Sequence, residues 1–140
     1  MPITPSFLYT VPYTVALRDT DAAGVLFFAR ALAIAHCAYE AALQEAGFDL
    51  RRFFREWAIP IVEVQGRFWQ PLYAGDRLRV EVTVLAVAAD SFRLGYAFWQ
   101  EGCDRPSFTG ETRHVCIDPD RRTRQPLPAA MVAWLGNATH

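Results

Sequence analysis

Asp19-Thr20-Asp21-Ala22-Ala23-Gly24-Val25-Leu26-Phe27-Phe28 is the stretch that decides how this chain is read. Two carboxylates follow an alternating run, Val11 to Arg18, and a glycine turn leads into a long alanine-rich segment. The order predicts strand, turn and helix. The first N–H groups of a helix have no partner inside it, so a carboxylate beside them marks a place suited to carbonyl chemistry. The helix end polarises an oxygen while the acid attacks or activates water. Residue types alone leave a second reading open, in which Asp19, Thr20 or Asp21 simply caps the helix. Calcium is a third reading, because Asp19-x-Asp21-x-x-Gly24 opens like an EF-hand loop. It fails further on, where the fifth position is Ala23 and the twelfth, which should be a bidentate Glu, is Arg30.

Outward from this block, the periodicity predicts a strand from about Tyr9 to Arg18 and a helix from Phe27 to Ala46 that stops at Gly47. Phe28, Leu32, Ala35, Tyr39, Ala42, Leu43 and Ala46 are expected on its apolar face, and its many alanines make it slim. A short helical turn is expected within 49–57. Four more strands are expected at Ile61–Gln70, Arg77–Val87, Ser91–Gln100 and Phe108–Ile117, then a polar connector from Asp118 to Gln125 and a terminal helix near Ala129–Leu135. One strand, one long helix and four mostly antiparallel strands define an α+β layout, a five-stranded antiparallel sheet wrapped around one helix, in a single domain spanning 1–140.

Composition narrows the function. With glycine counted and tyrosine left out, apolar residues make up about 54% of the 140-residue chain, above the roughly 45–50% of an average soluble domain. The excess points to apolar surface kept for a partner subunit or an acyl ligand. A net charge of −1 argues against nucleic-acid binding. All 14 basic residues are arginine, which rules out lysine Schiff-base chemistry. Cys37, Cys103 and Cys116 have no paired spacing and read as reduced thiols of a cytoplasmic protein. His36, His114 and His140 do not join them at metal-ligand spacing, so no metal is expected. No apolar run reaches the ~18 residues of a membrane span, and Met1-Pro2-Ile3-Thr4-Pro5 lacks the basic start of a signal peptide.

The Asp19–Phe28 block resembles that of hotdog-fold proteins, in particular the 4-hydroxybenzoyl-CoA thioesterase family. His36-Cys37-Ala38-Tyr39-Glu40, Ile59-Pro60-Ile61-Val62, Tyr73-Ala74-Gly75-Asp76 and His114-Val115-Cys116-Ile117-Asp118 support it, and together they look closest to the 1,4-dihydroxy-2-naphthoyl-CoA hydrolases. The resemblance implies an acyl-CoA thioesterase acting on an aromatic acyl group, of the 1,4-dihydroxy-2-naphthoyl or 4-hydroxybenzoyl type. It puts the catalytic carboxylate at Asp21 and the thioester carbonyl against the backbone N–H of Phe28 or a neighbour. Asp19 is then expected to be a cap or turn former. His36 and Glu40, four apart, either orient water or substrate or form a local pair on the helix flank. Phe27, Trp57, Phe68, Trp69 and Trp99 include the expected lining for a flat ring. CoA enters as part of the substrate, without a separate cofactor, and Arg121, Arg122 and Arg124 are the cations expected at its phosphates. One departure is Ala88-Ala89-Asp90, where family members often carry basic residues. The family joins two sheets edge to edge with the active site between subunits, which implies a homodimer or homotetramer. A short-chain acyl-CoA thioesterase, a hydratase or dehydratase using His36 and Glu40, and a non-catalytic acyl-CoA binding module are the alternatives on the same fold.

Overall fold

The computed structural model describes residues 6–138; His140 and the leading Met1–Pro5 segment lie outside them. Strand β1 (Ser6–Thr14) leads through a 3-10 turn, Leu17–Asp19, and a loop to helix α1 (Phe28–Glu45). Helix α2 (Leu50–Glu56), strands β2 (Ile61–Phe68), β3 (Arg77–Val87), β4 (Ser91–Gln100) and β5 (Pro106–Val115), and helix α3 (Ala129–Gly136) follow. The strands form one antiparallel sheet in the order β1-β3-β4-β5-β2. This is the α+β arrangement expected from the sequence, with α1 ending within a residue of its expected limit and Gly47 just beyond it.

Alternation explains the sheet. Leu78, Val80, Val82 and Val84 of β3 face inward with Phe92, Leu94, Tyr96 and Phe98 of β4, all buried. Against them lies the thin face of α1, where Ala31, Ala35, Ala38 and Ala42 let helix and strands approach closely. The buried stripe of α1 differs from the expected one. Ile34 and Ala38 are inside, whereas Phe28 is 60% and Leu32 36% exposed. The sheet covers only one side of α1, so these two apolar residues remain on its open flank.

The first strand lies earlier than expected, beginning at Ser6 and ending at Thr14 where a run from Tyr9 to Arg18 was expected. Asp19 is fully buried, and its carboxylate accepts the Ala16 N–H at 2.8 Å, which winds residues 17–19 into the 3-10 turn. At the other sheet edge, β2 is open along almost its whole length, with Val62 and Val64 each 50% exposed. Its partner β5 fixes the direction. Phe68 pairs with Phe108 at one end and Ile61 with His114 at the other. The molecule thus has two poles. One holds Phe68 and the loop before α1. The other holds Ala58, Ile117 and Arg124, joined by isolated bridges.

Candidate active site

The loop between the 3-10 turn and α1 is a miniature hairpin. Thr20 pairs with Leu26, and the Asp21 N–H donates to the Val25 carbonyl at 2.9 Å. Gly24 turns it with φ +82°, a conformation that a side chain resists. The Leu26 N–H donates to Leu72 O at 2.7 Å, and Val25 bridges to Tyr73, so the loop is stitched to the segment that follows β2.

This geometry removes the capping alternative. The N-cap of α1 is Phe27, and no side chain caps it. Asp21 instead organises its own turn. Its Oδ1 accepts N–H bonds from Ala23 at 2.8 Å and Val25 at 3.3 Å. Its Oδ2 accepts no hydrogen bond among the described residues, and the side chain is exposed. A carboxylate held by one oxygen and open at the other can act as a nucleophile or general base.

The helix start complements it. The Phe27 N–H is taken by the Asp19 carbonyl at 2.8 Å, and the Arg30 and Ala31 N–H groups point to Phe27 O. The Phe28 and Ala29 N–H groups are left without a backbone acceptor among the described residues, as the first turn of a helix requires. Phe28 and Asp21 line one cleft of about 430 Å³, with Phe27, Phe68, Trp69 and Gln70. Helix dipole, free N–H groups and an open carboxylate therefore share one apolar-walled space.

Asp19 has another task. Its carboxylate accepts hydrogen bonds from Tyr13 Oη and Ala16 N and pairs with Arg30, at 3.0 Å from Nε and 2.9 Å from a terminal nitrogen. Burial alone would raise its pKa. The Tyr13, Ala16 and Arg30 donors outweigh burial and hold it below the ordinary 3.8. Asp19 thus ties β1, the 3-10 turn and the first turn of α1 together, matching the turn-forming part expected of it.

The other sequence-derived residues divide. Phe27, Phe68 and Trp69 line the cleft. Trp57 packs on the main core, and Trp99 lies under the Arg79 guanidinium, 5.5 Å from the ring centroid. His36 and Glu40 form an exposed pair at 3.2 Å. Eight residues beyond Phe28, His36 lies about 12 Å further along α1 and does not line the Asp21 cleft. Arg121, Arg122 and Arg124 sit at the opposite pole, where Arg124 pairs with Asp90 at 3.2 Å. The seven residue steps of β5 from Phe108 to Val115 separate the poles by about 23 Å. Gln70, Pro71 and Leu72 of the cleft wall were missed. They look like a plain strand end in sequence, and only their stitching to Leu26 brings them to the site.

Comparisons with known proteins identify the family. The profile of the thioesterase-like superfamily matches residues 15–135. The chain belongs to that superfamily. It is 43% identical over 138 residues to a 1,4-dihydroxy-2-naphthoyl-CoA hydrolase of Thermosynechococcus vestitus, covering 97% of this chain and 94% of the relative. A protein of the same name from Rippkaea orientalis is 44% identical over 128 residues, covering 87% of this chain and 91% of the relative. Among solved structures, a 1,4-dihydroxy-2-naphthoyl-CoA thioesterase from Synechocystis superposes with a TM-score of 0.87 at 31% identity, covering 94% of this chain and 96% of that one. The expected hotdog thioesterase fold is therefore the fold of this chain. No helix among the described residues is long and apolar enough to cross a membrane.

Proposed function

We propose that this protein hydrolyses an aromatic acyl-CoA thioester, of the 1,4-dihydroxy-2-naphthoyl-CoA type, to the free acid and CoA. The observation that carries the reading is the pairing of the open Oδ2 of Asp21 with the unpartnered Phe28 and Ala29 N–H groups in one cleft. The names of the relatives that match nearly the whole chain support the substrate class. In this reading the thioester carbonyl oxygen accepts from the helix-end N–H groups, which stabilise the tetrahedral oxyanion by roughly 3–4 kcal/mol. Asp21 either attacks the carbonyl carbon, forming an anhydride that water opens, or deprotonates the attacking water. In both, the C–S bond breaks, the thiolate of CoA leaves, and one water is consumed. Carboxylate and helix end supply the nucleophile and the oxyanion site, so the chemistry calls for no metal or redox cofactor.

The far placement of Arg121, Arg122 and Arg124 suggests how CoA is held. Antiparallel pairing of two open β2 edges would set the Ile61 end of one chain beside the Phe68 end of the other. A partner's Arg121–Arg124 connector would then stand at the mouth of this chain's cleft, where guanidinium groups suit the phosphates. The functional unit in this reading is a cytoplasmic homodimer or homotetramer with shared sites. The test is release of free thiol from a panel of aryl- and alkyl-CoA thioesters. Turnover of 1,4-dihydroxy-2-naphthoyl-CoA well above that of short alkyl-CoA is expected. No thiol release from any aryl-CoA by the folded protein would overturn the function.

A further inference from the structure

A second cavity, of about 110 Å³, opens between α1 and the β2 edge of the sheet. Leu32 and His36 of α1, Val64 of β2, Phe108 and Thr112 of β5 and Tyr96 of β4 line it. It begins one helical turn, about 6 Å, beyond the free N–H groups of α1, on the open flank that Phe28 and Leu32 share. Phe68, in the wall of the first cleft, packs at a tilt against Phe108, in the wall of the second, with ring centroids 4.9 Å apart. Gly66 between them on β2 has no room for a side chain, since a Cβ there would lie 2.8 Å from the Phe108 ring.

The walls are mostly apolar, with His36, Gln65 and Glu111 also among the lining residues, and a hydroxyl pair lies on the sheet side. Tyr96 Oη and Thr112 Oγ1 lie 3.1 Å apart, and Thr112 Oγ1 lies 2.8 Å from His114 Nε2. His114 is fully buried, stacked on Phe92 with centroids 4.5 Å apart. Burial, helped by the His36 charge, pushes its pKa down to about 3, so the ring is neutral and carries one proton. Its Nδ1 has no partner. A buried N–H without an acceptor is rarer and costlier than an unused lone pair. Either tautomer leaves one donor over, the His114 Nδ1–H in the closed core or the Tyr96 O–H at the cavity wall; only the second can meet an acceptor that enters the cavity, which places the His114 proton on Nε2, donated to Thr112. The Thr112 hydroxyl then donates to Tyr96, and the Tyr96 proton is left over with no acceptor among the described residues. The relay ends in one spare donor at the wall of a mostly apolar cavity.

We propose that this cavity receives the outer edge of the aromatic acyl group, and that Tyr96, backed by Thr112 and His114, donates a hydrogen bond to an oxygen on that ring. The inference rests on the acyl-CoA reading above and adds a specificity determinant to it: the site selects hydroxylated rings. Size agrees. An apolar cavity of about 150 Å³ holds one benzene, so this smaller space takes a ring edge and its oxygen, not a whole fused pair. Selection of this kind is strong because an unsubstituted ring leaves the buried donor unpaired.

The test uses the free acids as probes, so that binding is read apart from hydrolysis. Equilibrium binding of 4-hydroxybenzoate and benzoate, and of 1,4-dihydroxy-2-naphthoate and 2-naphthoate, is measured on the wild type, Tyr96→Phe and Thr112→Val. The wild type should prefer the hydroxylated member of each pair. Tyr96→Phe should weaken the hydroxylated acid about tenfold and leave the unsubstituted one unchanged, with kcat/KM on the matching thioesters following. Thr112→Val, which keeps the shape of the side chain, should move the same ratio in the same direction. No preference in the wild type, or an equal loss for both members of a pair in both variants, would overturn the proposal. Discrimination between the acids without hydrolysis of any thioester would sink the enzymatic reading and leave the subsite standing.

Discussion

Single residues carry opposite tasks within three positions of each other. Asp21 is open at one oxygen and Asp19 is buried with every oxygen engaged. Asp21→Asn keeps the Oδ1 acceptor that the Ala23 and Val25 N–H groups use, so the loop should keep its form. It should lower kcat by about a thousandfold or more, roughly 4 kcal/mol at the transition state, with an unchanged melting temperature. Near-normal kcat would remove Asp21 from the chemistry. Asp19→Ala should do the reverse and act on stability first. It strips the acceptor from Tyr13 Oη and Ala16 N, which should cost about 1–3 kcal/mol in denaturant unfolding. His114 adds a pH signature. Its proton affinity is lower folded, at about 3, than the ordinary 6.5, so the unfolded chain binds the extra proton. Its contribution to stability is complete above pH 6.5 and falls as pH drops toward 3, a loss of about 2 kcal/mol by pH 5. Unfolding curves between pH 5 and 7 check this, and His114→Phe should flatten that part of the profile. Asp19, whose carboxyl is held low, contributes its own loss only below the ordinary carboxylate range.

At the scale of elements, two pieces matter: the start of α1 and the open strand β2. The helix brings the Phe28 and Ala29 N–H groups to a cleft that it shares with the end of β2. The strand leaves its outer edge, Val62 and Val64 unprotected. Exposed hydrophobic edges are usually blunted by charge or proline, and β2 has neither at Val62 or Val64. A charge placed there should block edge pairing. Val64→Lys should shift the protein toward monomer in sedimentation velocity while its far-UV spectrum stays native. An unchanged oligomer would move the contact off β2.

Across the whole molecule, the Asp21 cleft and the Arg121–Arg124 connector occupy opposite poles. If, as proposed, a partner's connector serves this chain's cleft, activity requires assembly. Light scattering at micromolar concentration should report two or four chains. Arg122→Ala combined with Arg124→Ala should raise KM and leave kcat nearly unchanged. Mixing that variant with Asp21→Asn should restore part of the activity, because some hybrid dimers hold one intact site. A fully active monomer, or no recovery on mixing, would defeat the shared site.

Strand and helix order was legible in the sequence, because alternation in β3 and β4 and the alanine spacing of α1 are local signals that survive without a partner. Residue types alone left Asp19, Thr20 and Asp21 open between capping and catalysis, and it was the resemblance of the Asp19–Phe28 block to a thioesterase family that pointed to Asp21. Four features depended on the tertiary structure. The hydroxyl–imidazole relay of Tyr96, Thr112 and His114 joins two strands through side chains that each look like ordinary inward residues. The outward turn of Phe28 and Leu32 depends on how far the sheet wraps. The division of labour between Asp19 and Asp21 was set by Arg30 and Tyr13, neighbours in space and not along the local turn. The separation of the arginine connector from the cleft follows from strand direction, which periodicity does not encode. Local pattern specifies what each segment is; which side chains meet is decided only when segments far apart in the chain pack together.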